Sequence, residues 1–220
     1  MPQKWRIWFA VEGDLRFASH HDMMRLLARL AARAHLPVGF SQGFNPRPLL
    51  SLPCPRPVGV ASRCELLVIC LDEPRADGEE SAAALVQGLS AAAPEGLRFL
   101  RAEPLTTKAA PQPRRIDCER PVTDAQASAI RRRLDELAAM GRWPVDRKVP
   151  AAKRGEPPAP AVLDIRPLVT DVRLAGGLLR WSHVGYGGKW ARPGEVLALL
   201  SMGDRADLAS VTRTHVEYDN

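Results

Sequence analysis

The 220-residue sequence predicts an α+β protein made of two ferredoxin-like (βαββαβ) units packed side by side. Three observations lead there. Runs with strand alternation trade places with helical apolar stripes in both halves. The two halves repeat the order of elements without repeating the letters. A polar, proline-bearing stretch, TTKAAPQPRR, separates them, so the units are expected at 1–108 and 109–220.

KWRIWFAVEG alternates as a strand, with Trp5, Ile7 and Phe9 on one face and Arg6 on the other. Ser19-His20-His21-Asp22 then opens a helix, the serine hydroxyl being able to take an orphan amide and Asp22 opposing the dipole. Met23, Met24, Leu26, Leu27, Leu30, Ala31 and Ala34 form its apolar stripe, and Pro37 ends it. RPLLSLP is a short or edge strand, restricted by Pro48 and Pro53. CELLVICLD is a buried strand, EESAAALVQGLSAAA a helix and LRFLRAEPL the closing strand.

In the second half RIDCERPV is a strand, and Thr123 caps the helix DAQASAIRRRLDELAAMG. The basic, proline-rich stretch 143–161 reads as a loop or arm. VLDIRPLVTDVRLAGGLLRWSHV is a hairpin turning at Gly176-Gly177. RPGEVLALLSM starts a helix near Pro193, and DLASVTRTHVEYD closes with a strand.

Composition bounds the function. Hydrophobic residues at 45% and charged residues at 25% place the chain among ordinary globular proteins. Net charge is +6 and the pI about 9.5, an excess that suits a polyanionic partner without identifying one. Cys54, Cys64, Cys70 and Cys118 show no C-x-x-C spacing and no cluster loop, so no cysteine-held metal is expected. The apolar core of the N-terminus is too short for a signal peptide, and no apolar run has the length to span a bilayer. The expectation is a cytoplasmic protein with reduced thiols and no membrane partner.

Gly39-Phe40-Ser41-Gln42-Gly43 matches the G-x-S-x-G pattern of serine hydrolases. That elbow needs a strand turning into a helix, whereas here a helix precedes the segment and Pro46 and Pro48 follow it, so Ser41 is no nucleophile. Gly185-Tyr186-Gly187-Gly188-Lys189 departs from phosphate-loop spacing and reads as a flexible loop, although Lys189 and Arg192 could meet a phosphate at the next helix start. His20, at a helix N-terminus, is the one acid–base candidate, and a structural polar cap is the plainer reading. Arg131, Arg132 and Arg133 read as a solvated helix face, with contact to a nucleic-acid backbone as the sharper alternative. Arg147, Lys148, Lys153 and Arg154 in the basic stretch could wrap RNA as a mobile arm.

The segment FSQGFNPRPLLSLPCPRPVGV has little periodicity. Gly43 permits a left-handed turn, and Gln42, Asn45 and Arg47 can hydrogen-bond bases or phosphates. Phe44 taken alone is expected to plug into the core, with a stacking platform as the alternative.

At these residues a family comes into view. Arg16, Phe17, Ser19, His20, Asp22 and Arg25 fit a block R-F-x-S-H-x-D-x-x-R. Ser41 through Pro46, Pro48 and Ser51 fit a second block around S-Q-G-F-N-P, and Gly59, Ser62 and Glu65 a third. DIRPLV, ARPGEVL and VTRTHV match later blocks. The sequence thereby resembles the bacterial radical-SAM-linked proteins labelled DUF2344, over most of its length. It departs at Arg47, where the pattern has His, and at Leu49, where it has Lys. The resemblance implies a protein encoded beside, or fused to, a radical-SAM enzyme with a cobalamin-type domain, often near a ribonuclease of the E/G type.

The expectation that follows is an accessory or substrate-binding protein for that enzyme, recognising RNA for modification. It binds no cofactor itself; the partner carries the iron–sulfur cluster, SAM and, where its domain is present, cobalamin. Arg16, Ser19, His20, Asp22 and Arg25 would form the site together with Ser41, Gln42, Gly43, Phe44, Asn45 and Arg47. The alternatives are a metal-independent RNA endonuclease using His20, and a protein-binding scaffold without RNA affinity.

Overall fold

Five α-helices and ten β-strands follow one another among the described residues of the computed structural model, which are 2–73, 78–107, 109–149 and 159–219. In chain order the first are β1 (Gln3–Val11), α1 (His20–Arg33), β2 (Leu50–Ser51), β3 (Ala61–Leu71), α2 (Glu79–Ala92) and β4 (Leu97–Pro104). There follow β5 (Pro113–Pro121), α3 (Asp124–Ala139), β6 (Pro144–Val149), β7 (Ala159–Asp164), β8 (Val169–Ala175) and β9 (Leu178–Val184). The last are α4 (Pro193–Leu199), α5 (Arg205–Ala209) and β10 (Thr212–Tyr218). The protein is thus mixed α/β, with five α-helices among the described residues and sheets carrying both strand directions. It divides into two units, Met1–Arg114 with Thr212–Asn220, and Arg115–Val211.

In the first unit β1 lies between β3 and β4, antiparallel to both. Its alternation does what period two requires: Trp5, Ile7 and Phe9 are fully buried on one face, packed with Leu67, Ile69 and Phe99 of the neighbouring strands. Met23, Leu27 and Leu30 of α1 and Leu85 and Leu89 of α2 complete this core. Each such large apolar side chain contributes about 1.5–3 kcal/mol by leaving water. Flanking prolines restrict β2 to two residues, paired antiparallel with Ile69 and Val68 of β3. β10 runs parallel to β3, Thr212 facing Ala61 and Arg213 facing Ser62. The final strand, expected in the second half, therefore belongs to the first unit.

The second unit departs from the expected order in further ways. β5 and β8 flank β9, both antiparallel to it. β8 and β9 turn through Gly176 (φ +59°) and Gly177 (φ +72°), the two left-handed positions that a tight hairpin requires. Residues 144–149 are not an arm: β6 pairs antiparallel with β7 in a separate two-stranded ladder. The DLA of DLASV is the end of helix α5 rather than strand. Thr123 caps α3 as expected, in a reciprocal capping box with Gln126.

Candidate functional site

α1 starts where the sequence places it. Ser19 Oγ accepts from the Asp22 amide (3.2 Å) and donates to Asp22 Oδ2 (2.6 Å). This hydroxyl, with help from the Arg25 charge 3.6 Å away, holds the exposed Asp22 carboxyl below its ordinary range. Arg16 Nε donates to the Gly13 carbonyl at 3.0 Å, with its guanidinium over the exposed Phe17 ring. His20 turns inward. Its Nδ1 is buried without a hydrogen-bond partner, and it lines a cavity of about 10 Å³ with Ser19, Met23, Leu52, Arg56 and Glu65. That is room for about one water, far below the roughly 300 Å³ where ligand pockets begin.

The first and third sequence blocks meet around this cavity. Arg56 Nη1 donates to the carbonyls of Arg16 (2.6 Å), Pro57 (3.2 Å) and Val60, and the Gly59 amide also donates to Arg16 O. Burial, the largest influence on Arg56, lowers its basicity. Glu65 accepts from Arg213 Nη1 at 3.0 Å, both side chains being only 4% exposed. Arg213 also donates to the carbonyls of Cys54 and Pro55. Burial pushes the nearby Cys64 thiol up to about 12. Glu65 falls in the third block, but its pairing with Arg213 and the role of Arg56 went unassigned in the sequence; the available signal was a lone acid inside the apolar run CELLVICL, which demands a buried cation.

The second block forms a closed loop elsewhere. Ser41 N donates to Arg47 O (2.9 Å), and Arg47 N donates back to Ser41 Oγ (3.0 Å). Phe40 bridges Pro48, Leu49 N donates to Gly39 O, and Gly39 N and Leu49 O bond to Cys70 of β3. Ser41 is therefore the clasp of the loop. Gln42, Gly43, Phe44, Asn45, Pro46 and Arg47 all project into solvent, with Gly43 at φ +132°. Phe44 is fully exposed, at 105%, which corrects the expectation of a core plug. Phe40, 53% exposed, is a second surface aromatic that the sequence reading left unassigned.

The structure does not bring the two motif groups together. Val11 pairs with Ser62 at the end of β1 nearest α1's N-terminus, whereas Lys4 pairs with Cys70, the anchor of the loop. The 14 residues of α1 separate the two ends by about 20 Å.

The remaining basic candidates lie in the second unit. Arg147 is no free arm: it forms a two-pronged pair with Glu195, Nε at 2.7 Å and Nη2 at 2.5 Å, and donates to Trp190 O. Arg192 precedes α4, its amide bonded to Glu195, and Lys189 is exposed in a small turn bridged to Tyr186. Lys148 lies in β6, and Lys153 and Arg154 lie outside the described residues. Among the described residues no three His, Cys, Asp or Glu are placed to hold a metal, and no helix is long and apolar enough to cross a membrane.

A sheet-and-helix unit carrying a clasped loop with an exposed aromatic tip defines the class: a mixed α/β protein. By sequence the chain belongs to the family of uncharacterized proteins conserved in bacteria, DUF2344, whose model spans residues 4–208. No curated protein matches it. Among solved structures it is similar to an unknown protein from Galdieria sulphuraria, at 13% identity over 100% of this chain and 98% of that one, with a TM-score of 0.28.

Proposed function

We propose that the protein is an accessory, substrate-binding partner of a radical-SAM enzyme and that it holds RNA at the loop of residues 41–47. The observation that carries the RNA reading is Phe44, fully exposed between Gly43 and Asn45 on a loop clasped by Ser41 and Arg47. A bare aromatic ring costs free energy in water and gains it by stacking on a base. Gln42 and Asn45 beside it offer donors and acceptors for base edges, and Arg47 a cation for phosphate. The radical-SAM partnership rests on the resemblance of the sequence blocks. In this reading the partner, in the cytoplasm, supplies the iron–sulfur cluster, SAM and cobalamin. We read the first unit as ferredoxin-like, since strands run β4-β1-β3-β2 in strand–helix–strand order. The one-water cavity at His20 leaves no room for a nucleotide, which weighs against an endonuclease there.

The test is crosslinking and sequencing of RNA bound to the full chain, then anisotropy titrations over a range of salt. A defined RNA, weakened about 5- to 150-fold by Phe44→Ala, is the expected outcome. Recovery of background RNA only, with capture of a radical-SAM chain that Phe44→Ala abolishes, would make the protein a scaffold. RNA cleavage without metal that His20→Ala removes would make it a nuclease.

A further inference from the structure

Residues 23–64 contain no Asp or Glu, while Arg25, Arg29, Arg33, Arg47, Arg56 and Arg63 fall within them. Three of these arginines recur every four residues along α1, so they share one face, rising about 6 Å per step. All three are exposed. Arg25 leans on Asp22 at 3.6 Å, but Arg29 and Arg33 form no ion pair among the described residues. Like charges at this spacing destabilise a helix by about 0.2–0.5 kcal/mol per pair, and no acid on α1 beyond Asp22 offsets them. The helix dipole accounts for Arg33 in the last turn, not for Arg29 in the middle. On α3, by contrast, Arg133 pairs with Glu136 at 2.6 Å.

We infer that Arg25, Arg29 and Arg33 form a phosphate track for single-stranded RNA, running along α1 from its capped start to the Phe44 loop. This rests on the RNA reading of that loop and extends it. The track explains how two motif groups about 20 Å apart serve one ligand: a strand crosses from one to the other along the helix. The rise of about 6 Å between these residues along the helix is of the order of the distance between successive phosphates in an extended strand. Arginine on a solvent-exposed helix neutralises a backbone without reading its sequence, so the track adds affinity and reach, and the loop adds contact with bases.

The test uses the full chain and oligouridine probes of about 3 and about 10 nucleotides, titrated at several salt concentrations. Arg29→Gln with Arg33→Gln is expected to weaken the longer probe about 10-fold. It should also reduce the slope of log K on log salt by about 1.4, leaving the shorter probe unchanged. Arg131→Gln with Arg132→Gln, which removes the same charge from exposed positions on α3, is the control. If the two double variants behave alike, or if the short probe weakens as much as the long one, the track is wrong. Phe44→Ala separates the two ideas, since its loss of affinity on both probes would leave the loop reading standing. A wild-type chain that binds neither probe would overturn the track, and one that also recovers only background RNA on crosslinking would overturn the loop reading with it. Loss of a captured protein partner in the Arg29/Arg33 variant, with RNA affinity unchanged, would overturn the track and make the stripe a protein contact.

Discussion

Glu65 and Arg213 show how one residue can commit a fold. With both side chains 4% exposed, removing either leaves an uncompensated charge in the interior. Glu65→Ala or Arg213→Ala is expected to lower unfolding free energy by about 3–5 kcal/mol in urea titrations. The double substitution Glu65→Leu with Arg213→Met should recover part of that loss, because neither partner is left without the other, while the carbonyls of Cys54 and Pro55 lose their donor. Cys64 beside them supplies a pH dependence. Burial raises its thiol from 9.0 to about 12, so the folded state holds the proton more tightly than the unfolded state. Its contribution is therefore complete below about 9 and is lost as pH climbs towards 12, at no more than about 1.4 kcal/mol per pH unit. Urea midpoints taken from about pH 8 to about pH 11 should fall, and less steeply in Cys64→Ala.

At the scale of elements, α1 and the loop after it were legible to different degrees. Ser19, Asp22 and the apolar stripe announced the helix, because capping and periodicity act within one or two turns. Ser19→Ala is expected to cost about 1 kcal/mol by thermal melting, as the Asp22 amide loses its acceptor. The loop lies between α1 and β2, and its clasp has no signal in the letters. Ser41 closes a ring with Arg47 six residues on, and this pairing turns Phe44 outward. A fluorophosphonate probe should leave Ser41 unlabelled, since among the described residues its hydroxyl has Arg47 N as its hydrogen-bond partner and no base; labelling at that residue would show an activated serine. Arg147 was misjudged for a related reason. Its basic, proline-rich neighbourhood suggested an arm, while its partner Glu195 lies 48 residues away.

For the whole molecule, the return of β10 to the first unit matters most. Deleting Thr212–Asn220 removes Arg213 and strands Glu65 in the core of a unit otherwise contained in residues 1–114. Such a chain should lose the cooperative melting of that unit, whereas a boundary read from the linker alone would predict no effect on it. Strand and helix positions, the β8–β9 turn and the capped helices were accessible from the letters, because periodicity, proline, glycine and capping act between near neighbours. The linear order carried no sign that Glu65 would meet Arg213 at a separation of 148 residues, that His20 would face a one-water cavity, or that the two motif groups would stand at opposite ends of α1. Those outcomes depend on strand pairing and packing, which join residues by position in space, and burial then decides whether a charge is anchored or a ring left bare.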